Sequence, residues 1–249
     1  MLPLLLTLFL GFLAPAFADP LSDWNTYQKF GNHSAKWDSL VEAGFDTFEG
    51  GNTETAVNFL KRALSLGCQD GLVFYKLALI VESSGNLKGA LEMLEKGSPL
   101  LQKNYSKLPA TAELPEHLGS IYYQLGRYDE ALVKFQEAIK VQGENFLRLY
   151  LVGQIYRMEQ KSTEAISAFE KSLQYEAPKS PAPNFKQLAQ IELIHLYSDA
   201  KNFDKVLEIA NAILKDDPSN PTAISTRDNI QHQRTKDKER ESWKKMFSK

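Results

Sequence analysis

The sequence predicts an all-α chain built as a stack of about five helical hairpins. Three observations predict it. Small and apolar residues recur 34 positions apart: Ala56 and Ala90, Leu60 and Leu94, Ala131 and Ala165. Within each period the apolar residues fall three and four apart, the spacing of one helix face. Corners return on the same period, at Gly51-Asn52 and Gly85-Asn86, where glycine ends one helix and the chain reverses. A fixed period of this length marks stacked units, each needing its neighbours to cover its apolar face.

The clearest copy is Glu116 to Lys140. Leu118, Gly119 and Tyr122 share one face of its first helix, and Ala131, Phe135 and Ala138 share one face of its second, with Gly126-Arg127-Tyr128 at the corner. The spacings LG-x2-Y and A-x3-F-x2-A resemble the tetratricopeptide repeat, with Pro115 where that family prefers Trp. The resemblance implies a right-handed α-solenoid of about five such repeats with capping helices at both ends. The small residues let helices approach closely and the large ones fill the space beside them. Leu118, Tyr122 and Phe135 are therefore expected in the core.

Taken in order, residues 1–18 read as a secretory signal. The run has no charged side chain and ends in Ala16-Phe17-Ala18, a small-residue cleavage pattern. Cleavage after Ala18 would place the protein in a periplasm or outside the cell; an uncleaved anchor is the alternative. Residues 19–36, with Trp24, Tyr27 and Phe30 on one face, form a lead-in helix that caps the array. Repeats follow at about 37–70, 71–104, 112–145, 146–179 and 187–220. Seven-residue insertions separate the second from the third, around Tyr105 to Thr111, and the fourth from the fifth, at Ser180-Pro181-Ala182-Pro183. Residues 221–249 give a capping helix over Thr222 to Gln231 and then a basic tail. From Arg227 onward there are eight Lys or Arg against four Asp or Glu, while the whole chain is −2. Trp243, Met246 and Phe247 form an apolar patch at its end. They either dock back on the last repeat or anchor the tail to a partner or an anionic membrane surface.

Chemistry is sparse. Cys68 is the single cysteine of the 249 residues, which excludes an internal disulfide and any multi-cysteine metal site. It reads as a small core filler, with a reactive thiol as the alternative. The four histidines have no metal-ligand spacing to one another. No nucleophile elbow, zinc-protease motif or phosphate-binding Gly loop occurs. The net charge of −2 gives no field favouring nucleic acid. No catalytic residue, cofactor or metal is expected.

The resemblance implies a binding groove lined by the first helix of each repeat, at places 2, 5, 9 and 12. Carried onto this sequence, the candidate residues are Phe45 and Phe48, Tyr75 and Glu82, Glu113, Glu116 and Tyr123, Tyr150, Gln154 and Arg157, and His195; the alternative for Phe45, Tyr75, Tyr123 and Tyr150 is that they pack between helices. Relatives that clamp acidic chaperone tails use basic side chains there. Here only Arg157 is basic, which favours an extended segment with apolar anchors and a basic residue near Glu113 and Glu116. The reading is a non-catalytic adaptor for a protein or peptide ligand, acting in envelope assembly. The alternative is an envelope scaffold that works through its terminal helices and uses the array as a spacer. The sequence leaves the partner and the oligomeric state open.

Overall fold

The computed structural model describes residues 23–178 and 184–247. The signal expected at Met1–Ala18 and the Pro-rich insertion at Ser180-Pro181-Ala182-Pro183 lie outside the described residues. Among the described residues all regular structure is helical, in two compact units that divide between Gly143 and Glu144. The first unit holds α1 (Asp23–Phe30), α2 (Asp38–Glu49), α3 (Thr53–Ser65), α4 (Gly71–Ser83), α5 (Leu87–Asn104), α6 (Pro109–Gln124) and α7 (Tyr128–Gln142). The second holds α8 (Phe146–Met158), α9 (Ser162–Ser172), α10 (Phe185–Asp199), α11 (Phe203–Asp216) and α12 (Pro221–Phe247). Within each unit a helix packs against its neighbours in sequence, most heavily against the partner in its own hairpin, the nearest-neighbour order of a repeat stack.

Local chemistry places the corners. Gly51, Gly85 and Gly126 adopt positive φ between the paired helices, a region glycine enters without steric cost. Asn52 and Asn86, which follow Gly51 and Gly85, and Asn202, which follows Lys201, each accept a backbone N–H from three residues on, as N-caps do. The α8–α9 corner uses Gln160 (φ 60°) and Lys161, and Lys201 (φ 56°) turns the α10–α11 corner. Neither Gln160 nor Lys201 has the freedom of glycine.

The core follows the expected pairing of small and large. Phe135 is fully buried, as are Ala131 and Ala138, and its ring lies against Gly119, where a Cβ would stand 3.1 Å from it. Gly153 and Phe169 repeat the arrangement, at 2.8 Å. Leu118 and Tyr122 are buried as well. Tyr122 also donates its hydroxyl to Glu95 at 2.7 Å, and Arg127 lies over its ring.

The insertion before the third hairpin does not form a loop over Tyr105 to Thr111. It lengthens helices: α5 runs 18 residues against 13 for α3, and α6 begins at Pro109. Proline is tolerated at that first position because the N–H it lacks would have no partner there. Tyr105, in the short link that remains, is buried and donates its hydroxyl to Asp70 at 2.8 Å.

Asp70 is fully buried and caps α4, accepting from the N–H groups of Leu72 and Val73 and from that of Asn32. Beside it, the Tyr27 hydroxyl of α1 donates to the carbonyl of Asn32 at 2.7 Å, and the Trp37 indole N–H reaches the same oxygen at 2.8 Å. This network ties α1 to the start of α2 and to the α3–α4 link. Cys68 is buried within it and unpaired, and burial, with the nearby Asp70 and Asp38 charges, pushes its thiol up to about 12. It is a core residue, not a reactive thiol.

Candidate functional site

The first helices α2, α4, α6, α8 and α10 carry the expected groove residues, and their burial sorts them into two groups. Phe45, Tyr75, Tyr150 and Gln154 are core. Phe45 lies edge-on to Tyr27, and Tyr150 packs on Phe146, Phe169 and Phe185. Of the two readings open for these rings, their burial fits the packing one: they hold helices together. The half-buried residues are Phe48, Glu82, Glu113, Glu116, Tyr123 and Arg157, and His195 is exposed.

In the first unit Tyr123 meets Tyr128 edge-on at 5.6 Å across the α6–α7 corner. Lys76, buried on α4, holds its ammonium 5.5 Å from the Phe48 ring. Glu82 of α4 pairs with the Nε2 of His117 on α6. The buried Nδ1 of the same ring has no hydrogen-bond partner. Glu113 and Glu116 stand on the same helix as His117, within one turn of it. At places 2, 5, 9 and 12 of α2, α4 and α6 the charges are thus all acidic: Asp38, Glu82, Glu113 and Glu116.

In the second unit Arg157 is spoken for. Its Nε lies 3.2 Å from the Oε2 of Glu192, a carboxylate buried on α10. Gln154 donates from Nε2 to Tyr150 at 2.9 Å and to Glu192 at 3.0 Å. Burial pushes the Tyr150 hydroxyl up to about 12, against the opposing pull of the Gln154 hydrogen bond. Arg157 therefore neutralises an internal charge before it can meet a ligand. His195 stands on α10 as an exposed side chain.

An open cleft of 310 Å³ lies between α5 and the α6–α7 corner, lined by Lys88, Leu91, Glu92, Glu95, Leu125 and Arg127. Its charges are mixed and none converges on a point. Among the described residues no group of three His, Cys, Asp or Glu could hold a metal ion, and no helix is long and apolar enough to cross a membrane.

The tail departs from the expectation of docking. α12 is one continuous helix of 27 residues. Its first turns are held by Ala223 and Ile230, both buried. Residues 231–244, 246 and 247 are exposed, with Trp243 at 57%, Met246 at 64% and Phe247 at 78%.

Three polar core groups escaped the sequence reading: Asp70, Tyr105 and Glu192. Asp70 had a signal, an acidic residue just before an apolar helix. Glu192 sits in the run AQIELIHL, where a lone carboxylate among apolar neighbours foretells a buried partner.

A model of the TPR repeat matches residues 119–158, across α6, α7 and α8. No curated protein sequence matches the chain. Among solved structures, YrrB, described as a TPR protein with an unusual peptide-binding site, aligns at 18% identity and a TM-score of 0.58. The alignment covers 76% of this chain and 90% of that one. A tetratricopeptide repeat protein from Parabacteroides merdae aligns at 20% identity and 0.56, covering 79% and 73%. MamA from Desulfovibrio magneticus aligns at 14% identity and 0.57, covering 76% and 99%. Likenesses at these identities establish the fold: an all-α solenoid of tetratricopeptide repeats.

Proposed function

We propose that this chain, a protein built from tetratricopeptide repeats, is a non-catalytic adaptor that binds an extended, cationic segment of a partner protein. The binding surface is the first-helix face of α2, α4 and α6. One observation carries the reading: every charge at the inner places of these helices is acidic, and half-buried Phe48 and Tyr123 occupy inner places of α2 and α6. Partly desolvated carboxylates at fixed spacing favour Lys or Arg on the ligand and repel an acidic tail. The apolar residues supply contact area and the carboxylates supply selectivity. Peptide binding in YrrB supports the class of ligand, and the likeness to it is one of fold. Repeats of this kind are interaction modules, which supports the non-catalytic part. The targeting segment at Met1–Ala18 supports work in the periplasm or outside the cell, in envelope assembly.

The test is a peptide panel of fixed length and varied charge, titrated against the wild-type chain and a Glu113→Lys/Glu116→Lys variant of matched melting temperature. Cationic peptides with an aromatic or aliphatic anchor should bind wild type and lose at least tenfold on the variant, because two attractive charges become two repulsive ones. Preference for acidic peptides, or equal binding by both proteins, would sink the proposal. A scaffold reading also has an observation behind it, the free end of α12. Partner capture that survives the Glu113/Glu116 change and fails on deletion of 239–249 would favour it.

A further inference from the structure

Ile230 is the last buried residue of α12, and one turn on Arg234 pairs at the surface with Asp204 of α11. From Arg234 to Phe247, at 1.5 Å per residue, the helix runs about 20 Å further. From Gln231 to Ser242 every residue is polar or charged. The apolar side chains are gathered at the tip. Trp243, Met246 and Phe247 stand three and four residues apart, on one face, and the Trp243 and Phe247 rings stack at 5.7 Å. Arg240 precedes Trp243 by three positions and Phe247 by seven, and Lys236 lies one turn before Arg240, so both cations share that face or border it. Lys244 follows on the same flank, beyond Arg240, held to Glu241 at 2.9 Å. Glu239, four before Trp243, projects within this face one turn before the tip, and is its one acidic residue among the described residues from 231 on. From residue 231 to the end the chain carries seven Lys or Arg and three Asp or Glu.

We propose that the free end of α12 is a docking surface for an anionic lipid bilayer, with Trp243, Met246 and Phe247 entering the headgroup boundary and the surrounding cations meeting lipid phosphates. Three features select this occupant. A second copy of the helix would need an apolar seam repeated along its length, and none exists between Ile230 and Trp243. A protein groove that takes a helix reads anchors at i, i+3, i+4 and i+7 over several turns, and here three anchors fill one turn. A bilayer asks for what the tip offers: a short aromatic wedge, a positive collar, and a position at the end of a projecting rod. Tryptophan and phenylalanine side by side suit the interface, where one end of the wedge is wet and the other apolar.

The test uses the intact chain and reads Trp243 alone, because an N-terminal apolar run could bring any variant to a membrane. Emission of the wild type minus that of a Trp243→Phe variant isolates this indole from Trp24 and Trp37. Vesicles of phosphatidylcholine with about one third phosphatidylglycerol are compared with phosphatidylcholine alone, with and without brominated acyl chains. On anionic vesicles the Trp243 emission should shift to the blue and be quenched by bromine. High salt should reverse both changes, since the attraction is screened. Lys236→Glu/Arg240→Glu should weaken the partition by more than roughly twentyfold, at about fivefold for each cation lost. Unchanged Trp243 emission on anionic vesicles would overturn the proposal. Equal quenching on both vesicle types would overturn the charge selection. A Trp243 shift produced by a protein partner in the absence of lipid would assign the tip to that partner instead.

Discussion

The α6–α7 and α8–α9 hairpins share a core and differ at their corners and in their polar groups. In both, a glycine on the first helix admits a phenylalanine from the second, Gly119 with Phe135 and Gly153 with Phe169. In both, a fully buried alanine stands early in the second helix, Ala131 and Ala165. The α6–α7 corner turns on Gly126 at φ 73°, while the α8–α9 corner holds Gln160 at φ 60°. The basic residue near each corner also differs. Arg127 pairs with Glu130 in solvent, whereas Arg157 reaches a carboxylate sealed in the interior. The difference teaches that the repeat conserves what packs and leaves the corner and the charges free to change. Each of those liberties carries a measurable consequence.

The largest effect tests the shared core. Phe135→Ala and Phe169→Ala should each destabilise the protein by about 3–5 kcal/mol, by lost burial and a residual cavity. Denaturant unfolding measures both, provided each unit is followed by its own probe. Values that differ by more than about twofold would break the equivalence of the two hairpins. Enlarging the small partner should hurt less: Ala131→Leu should cost about 1–3 kcal/mol by overpacking.

Next comes the contrast of arginines. Arg157→Ala leaves the buried Glu192 carboxylate with the Gln154 amide donating to it, and should cost about 2–3 kcal/mol, at the low end for a broken internal pair because the guanidinium is 38% exposed. Glu192→Gln, which removes the buried charge and still accepts from Gln154, should cost less. Arg127→Ala should leave the melting temperature nearly unchanged, since its ion pair with Glu130 is exposed. Equal losses for Arg157→Ala and Arg127→Ala would show that the buried pair does not distinguish the two hairpins.

The corners give a gain. Gln160→Gly/Lys161→Asn rebuilds at α8–α9 the Gly-Asn corner of the first two hairpins. It relieves a left-handed non-glycine residue and adds an N-cap, so stability should rise by about 1–2 kcal/mol. The reciprocal change, Gly126→Gln, should lose about 1 kcal/mol. A rise in melting temperature for the first and a fall for the second would tie the φ values to energy; no change in either would show that the corners relax freely.

This comparison also explains what the sequence made legible. Periodicity reports packing, so the helices and the core residues Leu118, Tyr122 and Phe135 could be read from spacing alone. For the same reason spacing leaves Phe45, Tyr75 and Tyr150 open between the groove and the core. An aromatic residue at a fixed place in a repeat reads alike whether it faces a ligand or the next helix, and only the neighbour's side chains decide. Phe185 and Phe169 decide it for Tyr150, closing on its ring. The buried polar groups were hidden because their partners lie far off in sequence, 35 residues from Asp70 to Tyr105 and 38 from Gln154 to Glu192. Both distances are close to one repeat, so a polar residue buried in one repeat should be matched against the corresponding stretch of the next.

The smallest effect separates the hairpins by pH. Burial raises the hydroxyls of Tyr122 and Tyr150 to about 12 each, helped at Tyr122 by its hydrogen bond to Glu95 and opposed at Tyr150 by the one from Gln154. In the unfolded chain both would ionise near 10. The folded state therefore holds its protons where the unfolded state has released them. Stability from these groups is full below pH 10 and is lost as pH rises from 10 toward 12. Buried Cys68, pushed up to about 12 from an ordinary value near 9, adds a loss of the same sign that begins earlier. Melts recorded from pH 8 to 11.5 should fall steadily, and Cys68→Ala should flatten the first part of that fall. Tyr150→Phe should flatten the later part and leave the unit ending at Gly143 unaffected, while Tyr122→Phe should act on that unit. An alkaline fall unchanged in all three variants would mean that other groups govern it and that the two tyrosines are held no differently from exposed ones.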